Sequence, residues 1–159
     1  MSRPASCGGS VASAGRVRVL HVDDDPALRD LTADLLERLE DRMTVRSESD
    51  PLAVPERLET EAVDCLVSDV RMPGCDGFEL CERVREAHPE LPVILFTSER
   101  GADTADRAVR AGATDCVVKA PGVEQYRVLA GRIGDAVRSR GTHEEKSESG
   151  ALLGAHSTA

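Results

Sequence analysis

The chain contains 159 residues, of which 29 are acidic and 20 basic, so its formal net charge is -9 at pH 7. This length is typical of one domain with a substantial core, and a hydrophobic share of 40% excludes a wholly disordered chain. The acidic excess argues against a protein that binds nucleic acid directly by neutralising phosphates. No apolar stretch approaches the roughly 20 residues that cross a bilayer, and residues 1–15 lack the apolar run of a secretory signal. We therefore expect a cytoplasmic protein with no membrane association.

Short apolar runs rich in β-branched residues alternate five times with longer segments of helical period between residues 16 and 140. Such alternation predicts an α/β domain with a parallel sheet and helical crossovers. The predicted strands are Val17–Val22, Met43–Glu48, Cys65–Ser68, Val93–Phe96 and Cys116–Val118. The second strand alternates in polarity and is typical of a sheet edge, whereas the other four are nearly continuous apolar runs, as in strands covered on both faces.

The first predicted helix carries the clearest local signals. Asp25 is placed as its N-cap and Pro26 as its first residue, and the inward positions are predicted to be Leu28, Leu31, Leu35 and Leu39. The remaining helices are predicted at about residues 51–61, 78–88, 104–111 and 123–139. Residues 1–15 and 141–159 have no sustained apolar period, and we predict that both segments are disordered and flank a domain at 16–140.

Cysteine and histidine side chains do not form a metal or disulfide pattern in this sequence. Cys65 and Cys116 lie in apolar strands and are predicted to be small core residues. Cys75 lies in a loop with Gly and Pro, and we expect it to be the most reactive of the thiols. His21 lies inside the first strand and is predicted to be packed or paired in the core rather than catalytic.

Polar side chains follow four of the five predicted strands. Ligands bind beyond the carboxyl ends of the strands in an open parallel sheet, so these residues are predicted to converge on one rim. They are Asp23, Asp24 and Asp25 after the first strand, Asp69 after the third, Thr97 and Ser98 after the fourth, and Lys119 after the fifth.

Clustered carboxylates repel one another unless a proton or a cation compensates their charge. Oxygen ligands with room for water favour Mg²⁺, which takes one or two protein carboxylates and completes its shell with water and phosphoryl oxygens. A lysine ammonium and a hydroxyl beside such a site would stabilise negative charge on a phosphoryl group. The residue types therefore indicate phosphoryl transfer. Asp25 is interpreted as a helix cap rather than a ligand, and Asp76 with Gly77 as a turn before the third helix.

Over residues 16–140 the sequence resembles the receiver domains of two-component response regulators. Three segments carry the resemblance: His21-Val22-Asp23-Asp24-Asp25-Pro26, Phe96-Thr97-Ser98, and the run from Ser68 to Gly77, which reads Ser-Asp-Val-Arg-Met-Pro-Gly-Cys-Asp-Gly. The resemblance implies a flavodoxin-like (βα)5 doubly wound fold with five parallel strands in the order 2-1-3-4-5.

The resemblance also implies a role for each rim residue. Asp69 would be the aspartate that a sensor histidine kinase phosphorylates, and Asp24 and Asp69 would bind Mg²⁺ directly. Asp23 would bind the ion through water, and the backbone carbonyl of Arg71 would be a further ligand. Thr97 would hydrogen-bond the phosphoryl group and Lys119 would pair with it.

Two positions depart from the family's usual pattern. Pro usually follows the lysine directly, whereas here Ala120 separates Lys119 from Pro121. A cis bond before Ala120 would cost about 3–4 kcal/mol, so the loop is expected to be either trans or strained. Cys116 occupies the position, three residues before the lysine, where the family often carries an aromatic switch residue. Movement of Thr97 could still alter the face between strand 4 and helix 5.

We therefore interpret the chain as a single-domain response regulator, a switch rather than an enzyme, whose output is contact with a downstream protein. A homodimer through the face from strand 4 to helix 5 is a further possibility. Two alternatives remain open. One is a small aspartate-nucleophile phosphatase of the haloacid-dehalogenase type using Asp23. The other is a degenerate receiver that acts as an unphosphorylated scaffold, for which Ala120 and Cys116 are the best support.

Overall fold

A computed structural model describes residues 15–157 of the chain, with side chains described over residues 15–140. These residues form one parallel five-stranded sheet in the order β2-β1-β3-β4-β5, which confirms the predicted α/β topology. The strands are β1 (Val17–Val22), β2 (Met43–Glu48), β3 (Cys65–Ser68), β4 (Val93–Thr97) and β5 (Asp115–Val118). The helices are α1 (Pro26–Leu39), α2 (Val54–Thr60, after a 3-10 turn at Pro51–Ala53), α3 (Gly77–Ala87), α4 (Ala102–Ala111) and α5 (Glu124–Ser157).

The strand boundaries follow the apolar runs closely. β1, β2 and β3 begin and end at the predicted residues, and β4 and β5 are each one residue longer. β2 is an edge strand, as its alternation predicts. β5 forms the other edge of the sheet, as the predicted strand order requires, and it is less covered than expected, because Asp115 and Cys116 are half-buried and Val118 is exposed. An apolar run identifies a strand, but coverage depends on which helices pack over it.

The sheet separates two hydrophobic cores, because alternate residues of each strand point to opposite faces. Leu20, Leu66 and Leu95 pack on the face covered by α2, α3 and α4. Val19, Val67 and Phe96 pack on the face covered by α1 and α5. Two helices on one face and three on the other leave the carboxyl edge of the sheet open between the loops.

Helix α1 begins as predicted, but its buried face is rotated from the predicted one. The Asp25 side chain accepts a hydrogen bond from the Ala27 backbone N–H, which confirms the N-cap. Thr32 and Leu36 are the fully buried residues of the helix, whereas Leu31 is 44% exposed. The prediction that Leu31 points inward is wrong. Four leucines at helical spacing define an apolar stripe wider than the contact with the sheet, and tertiary packing selects the part that is buried.

Helix α5 starts one residue later than predicted and continues to Ser157, well beyond the expected end near residue 139. The helix thus extends into the segment 141–159, for which disorder stays a prediction. No proline follows Pro121, so every later residue keeps the backbone N–H that a helix uses. Residues 1–14 of the predicted disordered N-terminal segment lie outside the described residues.

Within the described residues, none of the helices combines the length and apolar character that spanning a bilayer requires.

The rotated face of α1 gives a stability prediction. Leu36→Ala should lower the free energy of unfolding by about 2–5 kcal/mol, because it removes a fully buried side chain and leaves a cavity. Leu31→Ala on the same helix should change it by less than about 1 kcal/mol. Chemical denaturation monitored by circular dichroism measures both variants. Equal losses would contradict the assignment of the buried face.

Candidate functional site

Backbone hydrogen bonds between neighbouring strands bring the ends of the strands to one level. The Asp69 N–H donates to the Val22 carbonyl across 3.0 Å, and the Lys119 N–H donates to the Thr97 carbonyl across 2.7 Å. The residue that follows each strand therefore emerges at the same edge of the sheet. The predicted convergence of the rim residues follows from this register rather than from loop conformation.

Three carboxylates and one ammonium meet at this edge. One carboxylate oxygen from each of Asp23, Asp24 and Asp69 lies within 4.8 Å of the others. Lys119 Nζ lies 3.5 Å from Asp23 Oδ2 and 3.5 Å from Asp69 Oδ1. Asp24, Asp69 and Lys119 are accessible to different degrees, whereas Asp23 is buried. The cluster holds three acidic side chains against one lysine, so a hard cation is the complement that its donor atoms fit.

Asp23 is held by the residues that start α1. Its Oδ1 accepts a hydrogen bond from the Asp25 N–H across 2.9 Å, and its backbone carbonyl accepts one from the Arg29 guanidinium across 2.8 Å. The side chain is only 1% exposed. Asp23 is thus fixed on the inner side of the cluster, while Asp24 faces solvent.

Asp69 is the half-buried member of the cluster. Its Oδ1 accepts a hydrogen bond from the Val70 N–H across 2.8 Å. Burial raises the pKa of this carboxyl, and the negative charge of Asp23 raises it further, while Lys119 acts in the opposite direction. The net increase in pKa means that the ionised carboxylate is disfavoured here. A nearby cation would stabilise this carboxylate.

The loop after Asp69 packs closely against the start of α3. Asp76 caps that helix and forms a capping box with Glu79. The Gly77 N–H donates to the Val70 carbonyl across 2.8 Å, and a Cβ on Gly77 would lie 2.3 Å from the Asp69 carbonyl oxygen. Gly77 is therefore required for close approach. It is the first residue of α3, with a φ that is not positive, rather than part of a turn before that helix.

Thr97 ends β4 as a buried residue. Its Oγ1 accepts a hydrogen bond from the Glu99 N–H across 3.0 Å. A hydroxyl that already accepts can still donate its own proton, so Thr97 retains a donor for an incoming oxygen.

The loop after Lys119 is held by a residue that sequence reasoning missed. Within residues 15–157 no peptide bond is cis, so the Lys119–Ala120 bond is trans. The Ala120 N–H donates to Gln125 Oε1 across 3.0 Å, and Gln125 Nε2 donates to the Gly122 carbonyl across 2.9 Å. A proline at position 120 would lack that N–H. The departure from the family pattern thus supplies a donor, and a glutamine in the first turn of α5 was the signal for it.

Arg71 and Cys116 lie at the periphery of the site. The Arg71 side chain forms an ion pair with Glu99, which connects the loop after β3 to the loop after β4. Cys116 is half-buried against the core formed with α4 and has no aromatic ring to move.

The structure also corrects the expectation for Cys75. The side chain is 2% exposed, and burial raises the pKa of its thiol. A buried thiol with a raised pKa is a poor nucleophile. Cys65 is buried in the core, as predicted.

His21 is packed in the core, as predicted, and its ring nitrogens make no hydrogen bond. The ring is fully shielded from solvent, and among the described residues no protein atom hydrogen-bonds to either ring nitrogen. Its Nε2 lies 4.0 Å from Asp23 Oδ2, directly beneath the carboxylate cluster.

Comparison with known proteins agrees with this geometry. The family model for the response regulator receiver domain matches residues 19–128. The chain is 42% identical over 102 residues to the response regulator protein FleR of Pseudomonas aeruginosa, covering 64% of this chain and 21% of FleR. It is 33% identical over 132 residues to a protein-glutamate methylesterase/protein-glutamine glutaminase of Methylobacillus flagellatus, covering 78% of this chain and 37% of that protein.

These curated relatives are much longer than the matched region, since the chain spans less than half of the length of each of the two. Among solved structures, the chemotaxis protein CheY4 of Vibrio cholerae matches with a TM-score of 0.67 and 25% identity, over 74% of this chain and 98% of CheY4. A CheY-like receiver domain protein of Methanospirillum hungatei matches with a TM-score of 0.71 and 23% identity, over 80% of this chain and 98% of that one. The family model covers more than half of the chain, and the chain therefore belongs to the response regulator receiver domain family of two-component signal transduction.

Proposed function

We propose that this receiver accepts a phosphoryl group on Asp69 from a sensor histidine kinase in a Mg²⁺-dependent reaction, and passes the signal on by contact with a partner protein. One observation carries the proposal. Lys119 Nζ lies at 3.5 Å from both Asp23 and Asp69, at the point where three carboxylates come within 4.8 Å of one another. The arrangement combines a nucleophile, a fixed positive charge and an oxygen-rich cation site.

The proposed reaction is an attack of an Asp69 carboxylate oxygen on the phosphorus of a phosphohistidine. The phosphorus–nitrogen bond breaks, the imidazole of the kinase leaves, and an acyl phosphate forms on Asp69. Lys119 stabilises the negative charge on the transferred group, and the Thr97 hydroxyl donates to one of its oxygens.

The proposed ligands for the cation are the carboxylates of Asp24 and Asp69, the Arg71 carbonyl, and Asp23 through water. The exposed position of Asp24 and the buried position of Asp23 are consistent with this division. Bound Mg²⁺ would neutralise charge on the carboxylates and on the phosphoryl oxygens.

The alternative of a phosphatase with Asp23 as nucleophile is disfavoured by the burial of that residue. Asp23 is 1% exposed, and its Oδ1 already accepts a backbone hydrogen bond. A substrate phosphorus has no access along that side. The alternative of a degenerate receiver is disfavoured because Asp23, Asp24, Asp69, Thr97 and Lys119 all occupy the rim with competent side chains.

A partner would be expected to contact the face formed by α4, β5 and α5, which is also the surface that we propose for a homodimer. Valines are exposed on all three elements: Val109, Val118 and Val128. This surface is next to Lys119, so a change at the phosphorylation site is close to the proposed contact surface.

The first prediction concerns the phosphorylated residue. Incubation with acetyl phosphate and Mg²⁺ should add one phosphoryl group to the parent chain, as measured by intact mass, and Asp69→Asn should remove this addition. Asp41→Asn, which removes an exposed carboxylate near the opposite end of the sheet, is the matched control and should be phosphorylated normally.

Phosphoryl addition that persists in Asp69→Asn would contradict the assignment. Hydrolysis of a chromogenic phosphate ester that survives Asp69→Asn and is lost in Asp23→Asn would instead support the phosphatase.

The second prediction concerns stability. Burial and Asp23 raise the pKa of Asp69, so the ionised carboxylate destabilises the folded state at neutral pH. Asp69→Asn should therefore unfold at a higher denaturant concentration than the parent when EDTA is present. Mg²⁺ at about 100 times its dissociation constant should stabilise the parent by about 2.7 kcal/mol and the variant by much less.

Asp41→Asn should respond to Mg²⁺ as the parent does. An equal response of the parent and Asp69→Asn would show that Asp69 is not a ligand.

The third prediction concerns Gly77. Gly77→Ala should lower the free energy of unfolding by about 1–3 kcal/mol and slow phosphorylation, because the added methyl group would collide with the backbone of Asp69. Gly131→Ala, at an exposed helical site with no atom near its Cβ, should be neutral or more stable by up to about 1 kcal/mol. Denaturation and the rate of phosphoryl addition measure the two effects. Normal phosphorylation of a folded Gly77→Ala would contradict the role given to the contact.

A further inference from the structure

His21 is the buried polar side chain whose environment the proposed reaction does not explain. It lies at the penultimate position of β1, with its ring fully shielded from solvent. Among the described residues no protein atom completes a hydrogen bond to Nδ1 or Nε2. A buried polar group without a partner destabilises the folded state.

The nearest acidic group to the ring is also the least accessible carboxylate of the cluster. His21 Nε2 lies 4.0 Å from Asp23 Oδ2, and Lys119 Nζ lies 3.5 Å from the same oxygen. The other oxygen, Oδ1, already accepts from the Asp25 backbone. Oδ2 accepts from Lys119 and keeps a second lone pair for the imidazole. A displacement of about 1 Å would bring Nε2 and Oδ2 to hydrogen-bond distance.

Nε2 is the ring nitrogen that faces the carboxylate cluster, since it lies 4.0 Å from Asp23 Oδ2. A neutral imidazole carries one N–H donor and one acceptor nitrogen. An N–H on Nε2 would face a carboxylate oxygen, whereas a lone pair on Nε2 would face that oxygen unfavourably.

We propose that His21 is a positioning residue of the acid site, whose Nε2–H donates to Asp23 Oδ2 and holds this carboxylate in the orientation that binds Mg²⁺. This inference rests on the proposed function, since it assigns Asp23 to the cation site. Lys119 and His21 then approach one oxygen from two sides, while the Asp25 N–H holds the other. Asp23 is thereby fixed by donors and is not left to rotate toward Asp69.

The competing explanation is that His21 only fills space in the core. The two explanations differ in how Mg²⁺ affinity and stability respond to substitution. His21→Leu replaces the ring with an aliphatic side chain of similar size, and His21→Gln keeps an N–H donor near the position of Nε2. If His21 only fills space, the affinity should not depend on the donor.

The experiment measures Mg²⁺ binding to the full chain by amide chemical-shift titration and measures unfolding of the same samples by denaturant. His21→Leu should weaken Mg²⁺ binding by roughly tenfold or more, as removal of hydrogen-bond partners of metal ligands does. Its denaturation midpoint without Mg²⁺ should stay close to that of the parent, because the loss of the hydrogen bond is offset by burial of an apolar side chain in place of a polar one. His21→Gln should bind Mg²⁺ within about threefold of the parent, in line with retention of its donor.

Two outcomes would overturn the inference: unchanged Mg²⁺ affinity in His21→Leu, or an equal loss of affinity in both variants. If His21→Leu does not fold, the tautomer of His21 in the parent chain decides the question. Nitrogen-15 chemical shifts of the ring should show the proton on Nε2, and a proton on Nδ1 would overturn the proposed hydrogen bond.

The result also distinguishes this inference from the proposed function. A parent chain that does not bind Mg²⁺ would overturn the cation site and, with it, the purpose assigned to His21. If the parent binds Mg²⁺ and His21→Leu binds it equally tightly, only the role of His21 is overturned.

Discussion

The candidate site depends on one constraint, which is that the carboxyl ends of neighbouring parallel strands are aligned. Backbone hydrogen bonds from Asp69 to β1 and from Lys119 to β4 set the register of the sheet at its carboxyl edge. Three carboxylates and an ammonium separated by as many as 96 positions along the chain are thereby brought together. The carboxylates repel one another, so the packing of the sheet and its two cores must hold them in place.

This crowding links the chemistry of the site to its stability. The negative charge of the buried Asp23 raises the pKa of the half-buried Asp69, and Lys119 acts in the opposite direction. A bound cation, or a phosphoryl group together with its cation, would change the balance between these negative and positive charges. Under the proposed function, phosphorylation would therefore change the charge balance beside Lys119, which is next to Val118 on the face formed by α4, β5 and α5.

Much of the fold and most of the site could be predicted because they depend on local patterns. The apolar runs predicted the bounds of β1, β2 and β3, and Asp25 before Pro26 predicted the cap of α1. Since the carboxyl ends of parallel strands share one edge, the sequence predicts that the polar residues after the strands converge there. Strand identity and rim chemistry need only neighbouring residues and one topological rule.

The remaining features depend on contacts between residues distant in the chain. Leu31 and Leu36 share one apolar stripe, and only packing against the sheet decides that Leu36 is buried. Gly77 is dictated by the Asp69 backbone, and the Ala120 loop is held by Gln125. The sequence by itself determined the strands, the caps and the residue types at the rim. Tertiary structure alone decided which helix face is buried, how far β5 is covered and what surrounds His21, because burial and close approach are properties of the packed chain.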